Sequence, residues 1–205
     1  MAHLGHLVQH LLNTTKPEKF KFVEVGVFKG DNALEVVSLL ISNRIEKENI
    51  YYVGFDIFED LNGFKDEFPE DFSLYDKQEW PYWEYTSGLH TYNQVAMKLS
   101  AVLPLPNCRL IKGDSRVEIE KNISLISDAS MIYIDGCHDY MVVREDWANT
   151  RFILEKNDNL VIAFDDAGYE GVKRVKNEIS LDGNCKVLDL NDDQFFVVSS
   201  KCRVF

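Results

Sequence analysis

"KFVEVGVFKGDNALEVVSLLISNRIEKEN", residues 21 to 49, changes its period part-way through. Lys21 to Val27 is a valine-rich apolar run, whereas from Asp31 onward Leu34, Val37, Leu40, Ile41 and Ile45 recur at the spacing of one helix face. Asp31 is suited to cap that helix. Gly26 and Gly30 punctuate the junction, which reads as a buried strand passing through a tight turn directly into a helix. Such a strand–turn–helix unit is what parallel sheets are built from.

The unit recurs along the chain. Apolar runs stand at 50–58 (IYYVGFDIF), 108–114 (CRLIKGD), 129–136 (ASMIYIDG), 159–166 (NLVIAFDD), 185–190 (CKVLDL) and 194–205 (QFFVVSSKCRVF). Helical patterns lie between them at 91–103, 139–156 and 169–180. The alternation predicts an α/β class, a doubly wound, Rossmann-like sheet, mostly parallel, with helices on both faces and right-handed crossovers. Only Asn191, Asp192 and Asp193 separate the last two runs, which is enough for a hairpin and too short for a crossover. The C-terminal strand is therefore expected to run in reverse. With 205 residues and 45% apolar composition, the chain fits a single domain over 1–205.

A segment at about 59–92 interrupts the second crossover. It is aromatic, with Trp80 and Trp83 flanking Pro81 and Tyr82, and from Glu59 to Glu84 it carries nine acidic residues against Lys65 and Lys77. Its length and aromatic content suggest a lid over a site, and equally a contact in a homodimer.

Charge and cysteine usage narrow the setting. A net charge of −12 disfavours a nucleic-acid partner, which requires clustered Lys and Arg to neutralise phosphates. The four cysteines, Cys108, Cys137, Cys185 and Cys202, lack paired spacing and point to reduced thiols and a cytoplasmic setting. No secretory leader is recognisable and no apolar stretch reaches the length of a membrane span, so no membrane association is expected. His3, His6 and His10 fall near one face of an N-terminal helix, but with no acid among them they read as surface or interface residues.

In an open α/β sheet, ligands bind beyond the carboxyl ends of the strands. There the first run offers Glu24, Gly26 and Gly30 as E-x-G-x-x-x-G, with Gly26 placed to let a ligand approach the backbone. The dinucleotide fingerprint and the P-loop are both absent, which disfavours pyrophosphate cofactors. Asp56 ends the second run, placed to accept from a ribose diol, and Phe58 follows it, placed to stack near adenine. Asp114 and Ser115, after the third, are placed to meet an adenine edge, although Gly-Asp is also an ordinary turn.

In this order, E-x-G-x-x-x-G, a strand-ending acid, "GDS", "YIDGCHDY" and "FDD" resemble the class I S-adenosylmethionine-dependent methyltransferases. Within that class they are most similar to the small metal-dependent family that includes macrocin O-methyltransferase. The resemblance runs from about residue 20 to the end of the chain. It implies methyl transfer to a hydroxyl of a sugar or phenol-like small molecule, with Glu24, Gly26, Gly30, Asp56, Phe58, Asp114, Ser115 and Asp135 around the donor. It also implies a divalent ion on Asp135, Asp165 and Asp166.

Elementary chemistry runs the same way. If the fourth and fifth strands are neighbours, these three acids converge, and like charges so placed need a cation or a proton. Oxygen ligands select a hard ion such as Mg2+, with Mn2+ or Ca2+ as alternatives. The donor is already reactive, so the protein must align an acceptor oxygen, assisted by Asp135, and remove its proton, for which His138 is suited. Cys137 stands where the family often has an aspartate, and it reads as a small packed residue. Tyr140 and Arg144 either line an acceptor pocket or pack and pair on the following helix. Two rival readings keep the scaffold: an inactive S-adenosylmethionine-binding module, or a dinucleotide-dependent oxidoreductase.

Overall fold

A computed structural model of the chain describes residues 2–58 and 92–202. The elements, in chain order, are helix α1 (Ala2–Thr15), strand β1 (Phe20–Val25), α2 (Asp31–Ser42), β2 (Ile50–Asp56), α3 (Tyr92–Ser100), β3 (Cys108–Lys112), α4 (Ser115–Lys121), α5 (Ile123–Ile126), β4 (Met131–Ile134), α6 (Tyr140–Leu154), β5 (Val161–Phe164), α7 (Glu170–Ser180), β6 (Cys185–Asp189) and β7 (Phe195–Ser199). The sheet has seven strands in the order β3-β2-β1-β4-β5-β7-β6. β1 to β5 pair in parallel, while β7 runs antiparallel to both β5 and β6. The reversed C-terminal strand is thus inserted between β5 and β6, and β6 forms the outer edge.

Period-two alternation sends successive side chains to opposite faces of the sheet. Phe20 and Phe22 of β1 and Met131 and Tyr133 of β4 join Leu4, Val8, Val36, Leu40 and Leu99 under α1, α2 and α3. Val23, Val25, Ile132 and Ile134 join Ile119, Val143, Trp147 and Val172 under α4, α6 and α7. Both faces of the central strands are therefore buried, which explains why these strands read as continuous apolar runs.

Some local expectations shift. Asp31 does not cap α2: Gly30 occupies the N-cap position at φ +72°, and Asp31 pairs with Lys98 instead. A left-handed glycine closes that turn without a side-chain cap. α2 ends at Ser42, short of the periodic stretch, and residues 47–49 form a 3-10 turn. The short helices α4 and α5 fill a crossover in which no helical pattern was expected, because neither spans the roughly 11 residues over which a helical period can be recognised. His6 and His10 lie exposed on α1, opposite the buried stripe of Leu4, Leu7, Val8 and Leu11. Among the described residues no helix is long and apolar enough to cross a membrane. The lid or dimer reading of the 59–91 stretch, the side chain of His3 and the last three residues lie outside the described residues.

Candidate active site at the carboxyl ends of the central strands

The chain winds outward from β1 to β3 in one direction and from β4 to β5 in the other, so the switch point lies between β1 and β4. Beyond the strands' last residues the ladder continues for one more row. Gly26 N donates to Phe55 O at 2.9 Å, Asp135 N to Val25 O at 2.8 Å, Asp165 N to Ile134 O at 3.0 Å, and Gly113 N to Asp56 O at 2.9 Å. These bonds bring Gly26, Asp135 and Asp165 into line across the carboxyl edge. The convergence expected of neighbouring β4 and β5 is set here, by backbone pairing.

Gly26 has φ +87°, and a Cβ there would meet Asp135 O at 2.1 Å. The sequence suggested that this glycine admits a ligand to the backbone. In the structure, the space its missing side chain leaves is occupied by the backbone of Asp135 and Gly136, so its immediate role is to let the ends of β1 and β4 approach. Glu24 is 0% exposed, with Oε2 accepting from Tyr52 Oη at 2.6 Å and Oε1 without a hydrogen-bond partner. Burial pushes its carboxyl up to about 8 against the opposing hydrogen bond from Tyr52.

Asp56 closes β2 with both oxygens engaged by backbone amides: Oδ1 accepts from Phe58 N at 2.6 Å and Oδ2 from Phe28 N at 2.8 Å. It ties the loop after β1 to the loop after β2, and those are the loops that rim the crevice. Phe58 is 1% exposed and packs edge-on against Tyr92, with ring centroids 5.4 Å apart, so its ring is part of the core. Truncating it to alanine is expected to cost about 3–5 kcal/mol of stability by urea unfolding, the range for a buried phenylalanine. Asp114 caps α4 by accepting from Arg116 N at 2.9 Å and also grips the Arg116 guanidinium at 2.7 Å.

Asp135 receives Asn32 Nδ2 on Oδ2 at 3.0 Å. Its carboxyl is pushed up to about 8, first by burial and then by the charges of Asp165, Glu24 and Asp166. The crowding of Asp135, Asp165 and Asp166 anticipated from the sequence is thus present, with Glu24 added to it. Ligand atoms of Asp135, His138 and Asp166 lie within 4.8 Å of one another, and Asp165 falls outside that group. Asp165 is held by Tyr133 Oη on Oδ2 at 2.5 Å and, on Oδ1, by Gln194 Nε2 and Asp166 N, each at 2.9 Å. It joins Asp166 and Asp193 in a second acidic group on the hairpin side.

His138 Nε2 lies 2.6 Å from Asp166 Oδ2, and its ring stacks on Tyr169 at 4.3 Å. The Cys137 thiol accepts from Asp139 N at 3.3 Å, and Asp139 caps α6. Tyr140 packs and pairs: its hydroxyl donates to Glu178 at 2.8 Å, and the Arg174 guanidinium covers its ring. Arg144 approaches Glu178 at 3.9 Å. Asn32, Tyr133, Gln194 and Tyr169 were not anticipated. Each reaches the site from an element remote in sequence from the acid or histidine that it touches, or from a turn without a motif, so spacing could not reveal them.

No protein-family model matches the sequence, and no curated protein matches it. Solved structures do. CalS11, a calicheamicin methyltransferase, superposes with a TM-score of 0.65 at 15% identity over 95% of this chain and 76% of its own. The O-methyltransferase TomG from Streptomyces achromogenes, in complex with SAM, gives 0.53 at 12% identity over 94% and 77%. The chain has the fold of these methyltransferases. MycE, a methyltransferase of the mycinamycin pathway in complex with Mg, SAH and mycinamycin VI, gives 0.54 at 14% identity over 95% of this chain and 48% of its own. On this methyltransferase fold, the cluster of Asp135, His138 and Asp166 occupies the carboxyl edge beside the glycine turn.

Proposed function

We propose that the chain is an S-adenosylmethionine-dependent O-methyltransferase that acts, with a divalent cation, on a hydroxyl of a sugar or phenol-like small molecule. The observation that carries this reading is the meeting of carboxylates and an imidazole at the ends of β4 and β5, next to the Gly26 turn. Bound there, the sulfonium donor would supply the methyl group, and a cation on the cluster would polarise the acceptor hydroxyl. The donor set fits a cation: Asp135 is crowded by like charges, and His138 Nε2 is a buried atom without a hydrogen-bond partner.

The chain's own residues then divide the work. Asn32 fixes the orientation of Asp135, Tyr133 and Gln194 hold Asp165, and Tyr169 fixes the His138 ring. Asp56 keeps the two rim loops together at the place where a nucleoside would enter. Positioning of this kind supplies much of the rate in a direct transfer, since the near-attack geometry is fixed before reaction.

Calorimetric titration of the purified chain with S-adenosylhomocysteine is the first measurement, followed by transfer of labelled methyl to a panel of sugars and phenols with and without EDTA. The expected result is saturable binding of S-adenosylhomocysteine, no binding of NAD, and labelled product that falls at least tenfold when the cation is removed. Binding of NAD without S-adenosylhomocysteine would overturn the proposal in favour of an oxidoreductase. Donor binding without product on any acceptor would favour the inactive binding module.

A further inference from the structure

We propose that the chain carries a second ligand site, an effector site for a small zwitterion of the α-amino-acid class, at the end of the sheet remote from the methyl-transfer site. The effector role rests on the O-methyltransferase reading; the binding itself does not.

A cavity of about 320 Å3 lies at that end, within the size range of small-molecule sites. Three segments form it. The last turn of α6 brings Arg151, Leu154 and Glu155, the loop from α7 to β6 brings Asp182 and leads into Cys185, and the turn after β7 brings Ser200 and Lys201. β6 begins at Cys185 and the antiparallel β7 ends at Ser199, so the cavity opens at the amino edge of the sheet, opposite the acids that end β4 and β5. Backbone pairing joins two of its walls: Cys185 faces Ser199, and Ser200 N donates to Asn184 O at 2.8 Å.

The lining identifies the class of occupant. It holds two cations, Arg151 and Lys201, and two acids, Glu155 and Asp182. Their mutual pairing is slight. Arg151 approaches Glu155 at 3.6 Å, a loose contact between exposed groups, and neither Lys201 Nζ nor the Ser200 hydroxyl has a partner among the described residues. Asp182 accepts from Asn184 N and Nδ2 on Oδ1, at 3.0 Å each, which leaves Oδ2. Leu154, 2% exposed, and Cys185 are the apolar part, the Cys185 thiol being pushed up chiefly by burial and therefore neutral. A simple anion is opposed by the field of a chain of net charge −12, and a simple cation by Arg151 and Lys201 in the cavity itself. A molecule with both charges meets neither objection. Its carboxylate suits the Arg151 fork and Lys201, its ammonium suits Glu155 and Asp182, and an apolar side chain suits Leu154 and Cys185.

The same three segments lead to the methyl-transfer site. α6 begins two residues after His138 and ends at Leu154 in the cavity wall. α7 begins next to Tyr169, whose ring stacks on His138, and ends just before Asp182. β7 begins next to Gln194, which holds Asp165 at 2.9 Å, and ends at Ser199. Helices and strands shift as units, so a ligand that draws these segments together at one end displaces what they carry at the other. By linkage, such coupling appears as a change in donor affinity.

L-Leucine, L-methionine and L-phenylalanine are titrated calorimetrically into the full chain saturated with S-adenosylhomocysteine, which closes the donor site to them. The expected result is that at least one binds with a dissociation constant below about 1 mM, and that analogues lacking one charge (for leucine, 4-methylpentanoate and 3-methylbutylamine) bind at least tenfold more weakly. Arg151→Gln and Lys201→Gln, both at exposed positions, should each weaken the amino acid at least tenfold while keeping S-adenosylhomocysteine affinity, measured alone, within about twofold. Saturation with the amino acid should change the S-adenosylhomocysteine dissociation constant of the wild type at least threefold, and Arg151→Gln should abolish that change. No binding of any of the three, equal binding of the analogue without an ammonium group, or binding that both variants retain would overturn the site. A donor constant that stays the same with the amino acid bound, or a change that persists in Arg151→Gln and so reflects competition at the donor site, would overturn the effector role. Should S-adenosylhomocysteine itself fail to bind, the methyltransferase reading and the effector role fall together, and the amino-acid titration of the chain alone still decides the site.

Discussion

Replacing Gly26 with alanine is expected to destabilise the chain by about 3–5 kcal/mol and to abolish binding of S-adenosylhomocysteine. Two costs combine. At φ +87° a side chain is strained whatever its surroundings, and the new Cβ would meet Asp135 O at 2.1 Å and Gly136 Cα at 2.6 Å. Neither neighbour is a flexible side-chain tip that can swing away. Both are backbone of the segment that presents Asp135, so relief requires separating the ends of β1 and β4, where Asp135 N bonds to Val25 O. Gly136→Ala is the internal control: its Cβ would find its nearest neighbour at 3.7 Å, ordinary contact, and the cost should stay below about 1 kcal/mol. Urea unfolding of the two variants checks this, and equal midpoints would show that the close approach at Gly26 is not what shapes the site.

Between about pH 4 and pH 8 the protein should lose stability as the pH rises, and two buried acids outside the proposed cation's ligands should account for much of the loss. Glu24 is pushed up to about 8, and Asp146, on α6, up to about 7, in both cases chiefly by burial. Asp146 is 0% exposed; the Ser115 hydroxyl works against its shift, but neither carboxylate oxygen meets a donor at hydrogen-bond geometry. The sign follows from proton counting. Below about pH 4 both acids are protonated folded or unfolded, and pH has no effect through them. In the window above, only the folded chain keeps the proton, so stability falls until the folded groups ionise, near pH 7 for Asp146 and near pH 8 for Glu24. At about 1.4 kcal/mol per pH unit, each acid contributes on the order of 4 kcal/mol across its window. Glu24→Gln and Asp146→Asn should therefore melt higher than the wild type at pH 8 and close to it at pH 4.5. A wild-type melting temperature that is flat from pH 5 to pH 8, or a slope that both variants retain, would refute the assignment.

The chemistry-bearing positions were legible because residue type and place coincide: Asp56, Asp114, Asp135 and Asp165 each follow an apolar run, and a run that ends in an acid marks a strand's carboxyl edge. Which of those acids stay available for a ligand was not legible. Asp56 and Asp114 carry no local sign that backbone amides and Arg116 already engage them, because their partners are set by loop geometry. Phe58 reads equally well as a platform for adenine or as core. Its contact with Tyr92, across a long interruption of the chain, makes it core.

From the sequence alone came the α/β class, the strand sequence, the reversed C-terminal strand and the set of acids at the carboxyl edge, since all follow from periods of 2 and 3.6 residues and from loop length, which are local quantities. Tertiary structure alone decided which acid stands beside which. Asp165 and Asp166 are adjacent in sequence, yet a left-handed turn at Asp166 places it against His138 while Tyr133 and Gln194 hold Asp165. Orientations of that kind depend on groups brought together from four segments of the chain, and no spacing within any one of them encodes the result.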